Sequence, residues 1–227
     1  MAMAVLHSQA TSFHERDDDM AKTMTTSGMT EGQIGRALEI LGAQLRKHAA
    51  ELPTEAVQKV FGQAELGHEW LAVLRTRVEA QSNLIVRRVK VNRTRTPQEM
   101  LDATGRRQYT DRKVVDAMPH GEGEEAEVIF FKPRPESYQD GILTDEALER
   151  ELDFHGLKTD PYAQAAVNED DPAFADKKPN STHWKEDASG KWCFAAFRRW
   201  GDGERGVYVS RSGSGWRGGW WFAGVRK

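Results

Sequence analysis

The last thirty-six residues, 192–227, constrain the fold more than any other part of the chain. Five of the seven tryptophans lie there, interleaved with glycine, serine and arginine. Tryptophan brings a large apolar area, whereas glycine and serine bring turns and small, adaptable contacts. The stretch therefore predicts a small β-rich module. It is also typical of binding loops, in which rigid aromatic side chains stand among adjustable small residues.

The composition fits one domain with an extension, or two small domains. Of 227 residues, 38% are hydrophobic and 30% are charged, and the formal net charge is −3. This charge argues against a globally basic nucleic-acid binder. No apolar run approaches the roughly 20 residues that span a bilayer, so we expect no membrane partner. The single cysteine, Cys193, cannot form an internal disulfide, and no secretory signal is found at the N-terminus, so we expect a cytoplasmic protein.

The N-terminal part of the chain is predicted to be helical. Residues 1–29 are interpreted as a disordered leader. Thr30 begins a capping box with Gln33, and apolar residues follow at helical spacing until Pro53. A second helix is expected over about 54–82. The two helices form a hairpin that cannot bury both of its faces alone, so we expect it to pack on the next domain or to self-associate.

After the hairpin, the chain combines strands with helices. Residues 84–91 have a β-type composition, so residues 30–96 are taken as a helical hairpin plus a short strand. A capping box at Thr96 begins another helix, and residues 126–132 predict a further strand. From Thr182 onward the pattern is that of β-strands. The mixture, with helices first, predicts an α+β fold.

No arrangement of residues indicates catalysis, a cofactor or a metal. The seven histidines are scattered, and none is paired at the spacing of zinc ligands. Residues 121–126 mimic a dinucleotide-binding fingerprint, but they precede a strand instead of opening a helix and are rich in glutamate. We interpret them as a turn. No phosphate-binding loop and no nucleophile elbow occurs either. We therefore predict a protein that is not an enzyme and needs no cofactor.

A basic stretch leaves two interpretations open. Residues 84–113 contain nine lysines and arginines against three acidic residues. Such a cluster could follow the phosphates of a nucleic acid. Alternatively, it is a solvated face or docks against the acidic stretch 122–153, or against a partner. We favour docking and keep a nucleic-acid-associated accessory protein as the alternative function.

Short motifs at the end of the chain resemble a known family. They are Trp192–Phe197 (WCFAAF), Arg217–Trp220 (RGGW) and Gly224–Arg226 (GVR). They are similar to the ends of variable proteins of diversity-generating retroelements, which often carry an Arg-Gly-Gly-aromatic stretch and a final Gly-aromatic-Arg. Here Val225 stands in the place of the second aromatic residue. The resemblance implies a C-type-lectin-like ligand-binding domain over residues 97–227.

In that family, error-prone reverse transcription at template adenines rewrites codons near the C-terminus, frequently asparagine codons. Tyrosine, serine, glycine and arginine are all reached from AAC by changing adenines alone, and these types fill most positions of 208–219. The resemblance thus implies a hypervariable surface, about 198–219, that binds an unknown partner, for which a protein is favoured. We assign ligand binding to Arg198, Tyr208, Ser210, Ser212, Gly213, Ser214, Gly215, Trp216, Arg217, Gly218, Gly219 and Trp220.

Roles within this surface follow from the alternation of side chains along a strand. Trp216 and Trp220 are expected to be aromatic anchors, and the tyrosine, serine and arginine positions are expected to be adjustable contacts. Residues 208–219 should face the solvent. The scaffold beneath them is predicted to be Trp192, Phe194 and Phe197, with Trp192 and Phe197 buried.

Overall fold

The structure is a computed structural model that describes residues 28–227. It confirms the predicted α+β fold, with helices preceding a strand-rich part. Apart from Gly28 and Met29, the predicted leader lies outside the described residues. The chain divides after Val73 into two units, the second of which is Leu74–Lys227.

Three helices occupy the first part of the chain: α1 (Glu31–Lys47), α2 (Thr54–Phe61) and α3 (Glu65–Gln81), the last of which crosses the boundary between the units. The capping box at Thr30 is confirmed. The expectation of one continuous helix over 54–82 is wrong, because α2 ends at Phe61 and α3 begins only at Glu65. At the end of α2, the N–H of Gln63 bonds to the carbonyl of Val60 in a tighter three-residue turn. None of the residues in the three helices is buried.

The second unit contains most of the secondary structure. Its strands are β1 (Leu84–Lys90), β2 (Arg107–Thr110), β3 (Glu125–Phe131), β4 (Ile142–Leu143), β5 (Leu157–Lys158), β6 (Asn180–Lys185), β7 (Trp192–Arg199), β8 (Arg205–Arg211), β9 (Trp216–Arg217) and β10 (Trp221–Arg226). Its further helices are α4 (Pro97–Ala103), α5 (Arg112–Asp116), α6 (Asp145–Phe154), α7 (Pro161–Asp170) and α8 (Phe174–Lys177). The capping box at Thr96, which begins α4, is confirmed.

One large sheet organises the second unit, with the strand order β1-β3-β10-β6-β7-β8-β2. Neighbouring strands are antiparallel except for β10 with β6 and β8 with β2. Strand β5 also pairs with β10, while β4 and β9 form a separate two-stranded ribbon. We had grouped β1 with the helical segment 30–96. It instead pairs with β3 along its whole length, because its buried residues Ile85 and Val89 need the core of the sheet.

The sheet has two covered faces, since side chains alternate along each strand. In β3, Val128 and Phe130 point to a first face, which α4, α5, α7 and α8 cover. Ile129 and Phe131 point to a second face, which α6 and the β4–β9 ribbon cover. Within residues 28–227, no helix is both long enough and apolar enough to cross a membrane.

Candidate ligand-binding pocket

A pocket of about 540 Å³ opens on the second face. Its lining comprises Ile142, Phe194, Ala196, Arg198, Trp200, Tyr208, Ser212, Gly213, Ser214, Gly215, Trp216, Arg217 and Trp220. Nine of these thirteen residues are among the twelve that we assigned to ligand binding from the sequence. The other three assigned residues, Ser210, Gly218 and Gly219, do not line it. The structure therefore brings most of a dispersed set of residues around one cavity.

The floor of the pocket comes from alternate residues of two paired strands. In β7, Phe194, Ala196 and Arg198 share one face, and Ala196 is paired with Tyr208 of β8. Phe197 points to the opposite face and is completely buried, as predicted. Phe194 is not beneath the surface, as we had expected, but lines the pocket itself. The strand period of two accounts for both outcomes, because 194 and 197 have opposite parity.

Trp216 is part of the fixed floor, and our expectation of a solvent-facing residue there is wrong. Only 7% of it is exposed, because its ring packs edge-on against Phe194, Trp220 and Phe222 at centroid distances of 5.1, 5.6 and 5.3 Å. Its indole Nε1–H also donates a hydrogen bond of 3.2 Å to Asp145. Trp220 is only half-buried, so it remains available at the pocket wall.

Asp145, at the start of α6, connects the pocket floor to a buried histidine. It accepts from Trp216, its Oδ1 lies 3.4 Å from Nδ1 of His183, and the Ser212 side chain also hydrogen-bonds to it. Burial raises the pKa of Asp145, but hydrogen bonds from His183, Ser212 and Trp216 outweigh this effect and lower the pKa overall. The carboxylate is thus held in its charged form under the pocket.

His183, on β6, is completely buried and lies between two carboxylates of α6. Its Nε2 is 3.1 Å from Oε2 of Glu149, opposite the contact with Asp145. Burial lowers the pKa of His183, but the hydrogen bonds to Asp145 and Glu149 outweigh it and raise the pKa overall. This charged cluster fastens α6 to the sheet next to the pocket floor.

Trp192 covers this histidine and is half-buried, so our expectation of a buried side chain is wrong. Its ring stacks on His183 at 4.4 Å with an interplanar angle of 9°, and Lys185 Nζ lies 4.6 Å from the ring centroid. Its indole N–H donates to Glu146 at 3.0 Å. Trp192 therefore covers the buried charged cluster with one face of its ring, while part of the ring remains exposed to solvent.

The glycines in and beside the pocket are not equivalent. Gly215 has a φ of +66°, and an added Cβ would lie 2.6 Å from Cγ2 of Ile142 and 2.8 Å from the carbonyl oxygen of Leu143. No heavy atom lies within 4 Å of the corresponding position at Gly213 or Gly218. The backbone therefore requires glycine at 215, whereas 213 and 218 have room for larger side chains.

An aromatic stack forms the outer wall. The guanidinium carbon of Arg198 lies 3.8 Å from the ring centroid of Trp200, which packs edge-on against Tyr208 at 5.2 Å. Tyr208 in turn stacks on Tyr109 at 4.7 Å. Our sequence reasoning did not assign Trp200 to the site, although it follows Arg198 at the strand period of two. No sequence signal marks Ile142 as a pocket residue, because it reaches the pocket only through the pairing of β4 with β9.

The basic stretch 84–113 is largely neutralised within the chain. Six of its nine cations form ion pairs: Arg87 with Glu79, Arg88 with Glu127, Arg93 with Asp160, Arg95 with Glu169, Arg107 with Glu204, and Arg112 with Asp116. Of these six carboxylates, only Glu127 belongs to the acidic stretch 122–153. The cations are therefore docked within the chain, but mostly on carboxylates outside the stretch that we had expected.

In the described part of the chain, no cluster of three or more histidine, cysteine, aspartate or glutamate residues is arranged to hold a metal ion. No protein-family model, curated protein or solved structure matches the chain. The functional interpretation therefore depends on the pocket and on the short C-terminal motifs.

Proposed function

We propose that this protein displays a variable surface that binds another protein, as its resemblance to variable proteins of diversity-generating retroelements implies. The observation that carries the proposal is that nine residues assigned from the C-terminal stretch line a single pocket. In this proposal residues 97–227 act as a C-type-lectin-like domain, the protein is not an enzyme and needs no cofactor, and it works in the cytoplasm.

The division of the pocket into fixed and open positions supports the proposal. Trp216 and Gly215 are held by packing and by backbone geometry, whereas Gly213, Ser214 and Arg217 are exposed. Exposed positions away from caps and core tolerate substitution with stability changes within about 0.5 kcal/mol. A protein that presents many versions of one site needs this arrangement, in which the rim changes over a constant floor.

The chemistry of the lining favours a protein ligand. The pocket volume of about 540 Å³ lies within the range of about 300–1,000 Å³ that small-molecule sites span, so the preference for a protein rests on the lining residues and not on the size. Tryptophan, tyrosine and arginine dominate the binding energy of protein interfaces, and the walls combine Trp200, Tyr208, Trp220 and two arginines. Serine and glycine supply adaptable contacts between these anchors.

Nucleic-acid association through residues 84–113 is the weaker proposal. Phosphate groups would have to compete with the carboxylates that already pair with six of the nine cations. The ion pairs of this stretch are instead consistent with a structural role, since Arg93 joins Asp160 at 2.7 Å with side-chain exposures of only 14% and 3%.

We further propose that the N-terminal helices associate with a second copy of the chain. Ile34, Leu38, Leu41 and Leu45 follow spacings of four, three and four residues along α1, which is the spacing of a helix–helix seam. Ile34 and Leu38 are 39% and 64% exposed. A second α1 would cover this apolar stripe with an identical one.

Sequencing the gene and its surroundings in many cells of a natural population tests the display function. We expect a reverse-transcriptase gene nearby, and also a near-copy of the last hundred or so nucleotides of this gene. Differences between cells should concentrate in codons 198–219, at adenines of that copy, and should spare Gly215 and Trp216. Uniform or mostly silent variation, or the lack of a near-copy, would contradict the proposal.

A further inference from the structure

The pocket contains two cations and no acidic residue. Arg198 and Arg217 both line it, and none of its thirteen lining residues is aspartate or glutamate. Within residues 28–227, neither arginine forms an ion pair within 4.0 Å, whereas neighbouring arginines of β7 and β8 do. The pocket therefore holds positive charge that the described residues leave without a carboxylate.

The arginines next to the pocket do pair with carboxylates, so among the described arginines of β7, β8 and β9 the lack of an ion pair is confined to the two that line the pocket. Arg199 and Arg205 pair with Asp176 at 4.0 and 2.8 Å. Arg211 pairs with Asp111 and with Glu186, both at 2.9 Å. Arg198 and Arg199 are adjacent on β7 and so point to opposite faces, and of these two it is Arg198, in the pocket, that pairs with no carboxylate of the described residues.

The position of Arg198 leaves its guanidinium group able to bind an anionic group in the pocket. Its guanidinium carbon lies 3.8 Å from the ring centroid of Trp200 and 6.0 Å from that of Trp220. Stacking on an aromatic ring uses the flat face of a guanidinium and leaves its N–H edge for a carboxylate, which it can bind with two parallel hydrogen bonds. The surrounding aromatic rings also lower the local dielectric constant, which strengthens such a bond.

We infer that the pocket takes an acidic segment of a partner protein that carries an aromatic side chain beside its carboxylates. The carboxylates bind Arg198 and Arg217, and the aromatic side chain lies on the floor residues Phe194 and Trp216, beside Trp220 of the wall. This inference rests on the proposed display function and specifies the chemistry of its ligand. It follows from charge complementarity together with an aromatic floor.

Selection from a random peptide library tests the inference. The full chain would be immobilised and panned with displayed dodecapeptides, in parallel with the double variant Arg198→Gln/Arg217→Gln and the control Arg199→Gln. Arg199 is the matched control because it lies on the same strand outside the pocket. We expect peptides with aspartate or glutamate next to tryptophan, tyrosine or phenylalanine to be enriched on the wild type and on the control, and lost on the double variant.

A synthetic peptide gives the size of the effect. The dissociation constant of Ac-Glu-Asp-Trp-Asp-Glu-NH2 should rise roughly tenfold or more in the double variant, stay nearly unchanged in the control, and rise with salt. The counterpart Ac-Lys-Lys-Trp-Lys-Lys-NH2 should not bind. Unchanged melting temperatures of the variants would show that they fold.

The outcomes separate the ligand class from the display function. Enrichment of basic or uncharged peptides that depends on the pocket would overturn the acidic ligand and leave display intact. Acidic peptides that bind the double variant as well as the wild type would also overturn it. If no enriched peptide depends on the pocket, both the ligand class and binding at this surface are contradicted.

Discussion

The N-terminal helices and the C-terminal sheet use their apolar side chains in opposite ways. In α1, Leu38 is 64% exposed, and none of the residues in α1, α2 or α3 is buried. In the second unit, Leu101 and Phe130 are completely buried, and two clusters of buried residues fill the two faces of the sheet. Apolar periodicity and caps are thus enough to form helices, whereas an interior depends on segments that are distant in sequence.

This difference separates two kinds of role. A helix that buries little owes its stability to local hydrogen bonds and to whatever covers its apolar stripe, so its surface is suited to association. The sheet joins β1 to β3 and β3 to β10 across long stretches of chain, and its core then holds the pocket floor rigid. The comparison predicts that substitutions in the two regions have very different consequences.

The largest difference should appear when one apolar side chain is truncated in each region. Phe130 is completely buried and packs against Phe174 at 4.7 Å, so Phe130→Ala should cost about 3–5 kcal/mol of unfolding free energy. Leu38→Ala should change it by no more than about 0.5 kcal/mol, because Leu38 is exposed. Urea unfolding at low protein concentration measures both, and equal losses would remove the distinction between the regions.

A smaller, pH-dependent effect should mark the charged cluster under the pocket. The pKa of His183 is raised above its ordinary value of about 6.5, because its bonds to Asp145 and Glu149 outweigh burial. The resulting stabilisation is fully present below about pH 6.5 and is lost as the pH rises through the folded-state pKa. His183→Gln should therefore cost about 1.5–3 kcal/mol at pH 6 and less at pH 9. A cost that grows with pH would show that the histidine is neutral in the folded protein.

The pocket itself should divide into rigid and tolerant positions. Gly215→Ala combines a positive φ with contacts that are too short, so it should cost about 1–3 kcal/mol. Gly213→Ala has open space and should stay within about 0.5 kcal/mol. Thermal melts of both variants provide the measurement. If the two glycines respond alike, the loop adjusts more readily than the structure implies.

The smallest effect on stability, but a clear effect on assembly, is expected in α1. Leu38→Glu should leave the unfolding free energy within about 0.5 kcal/mol, since the residue is exposed, yet it places a charge in the proposed seam. Sedimentation should show the wild type as an oligomer and the variant as a monomer. Ala43→Glu, on the opposite side of the helix, is the control and should not change the oligomer. A monomeric wild type would contradict self-association.

Local signals in the sequence predicted the elements that depend on local chemistry. The capping boxes at Thr30 and Thr96 form as expected, since they need only a side chain and a backbone N–H three residues apart. The strand period of two likewise placed Phe197 in the core. The same period would have found Trp200, which follows Arg198 by two residues.

The remaining wrong predictions concern residues whose positions depend on contacts with segments that are distant in sequence. Trp216 carries the same local pattern as an exposed tryptophan, and its contacts with Phe194 and Asp145, which are distant in sequence, hold it in the pocket floor. Ile142 reaches the pocket through the short ribbon of β4 with β9, and the two residues of β4 give no periodic signal. Trp192 is half-buried and lies over His183 of β6, with a hydrogen bond to Glu146 of α6, and its local pattern does not reveal these contacts.

Strand β10 lies between β3 and β6, in the middle of the sheet, although it is the last strand in chain order. During synthesis, β3 and β6 therefore lack the strand that pairs with both of them until Trp221–Arg226 leave the ribosome. Trp216 of the pocket floor, which precedes β10, is therefore synthesised before Phe222 of β10, against which its ring packs. Because this final step joins segments far apart in sequence, we expect folding to be slow and aggregation to be the main hazard before β10 is inserted.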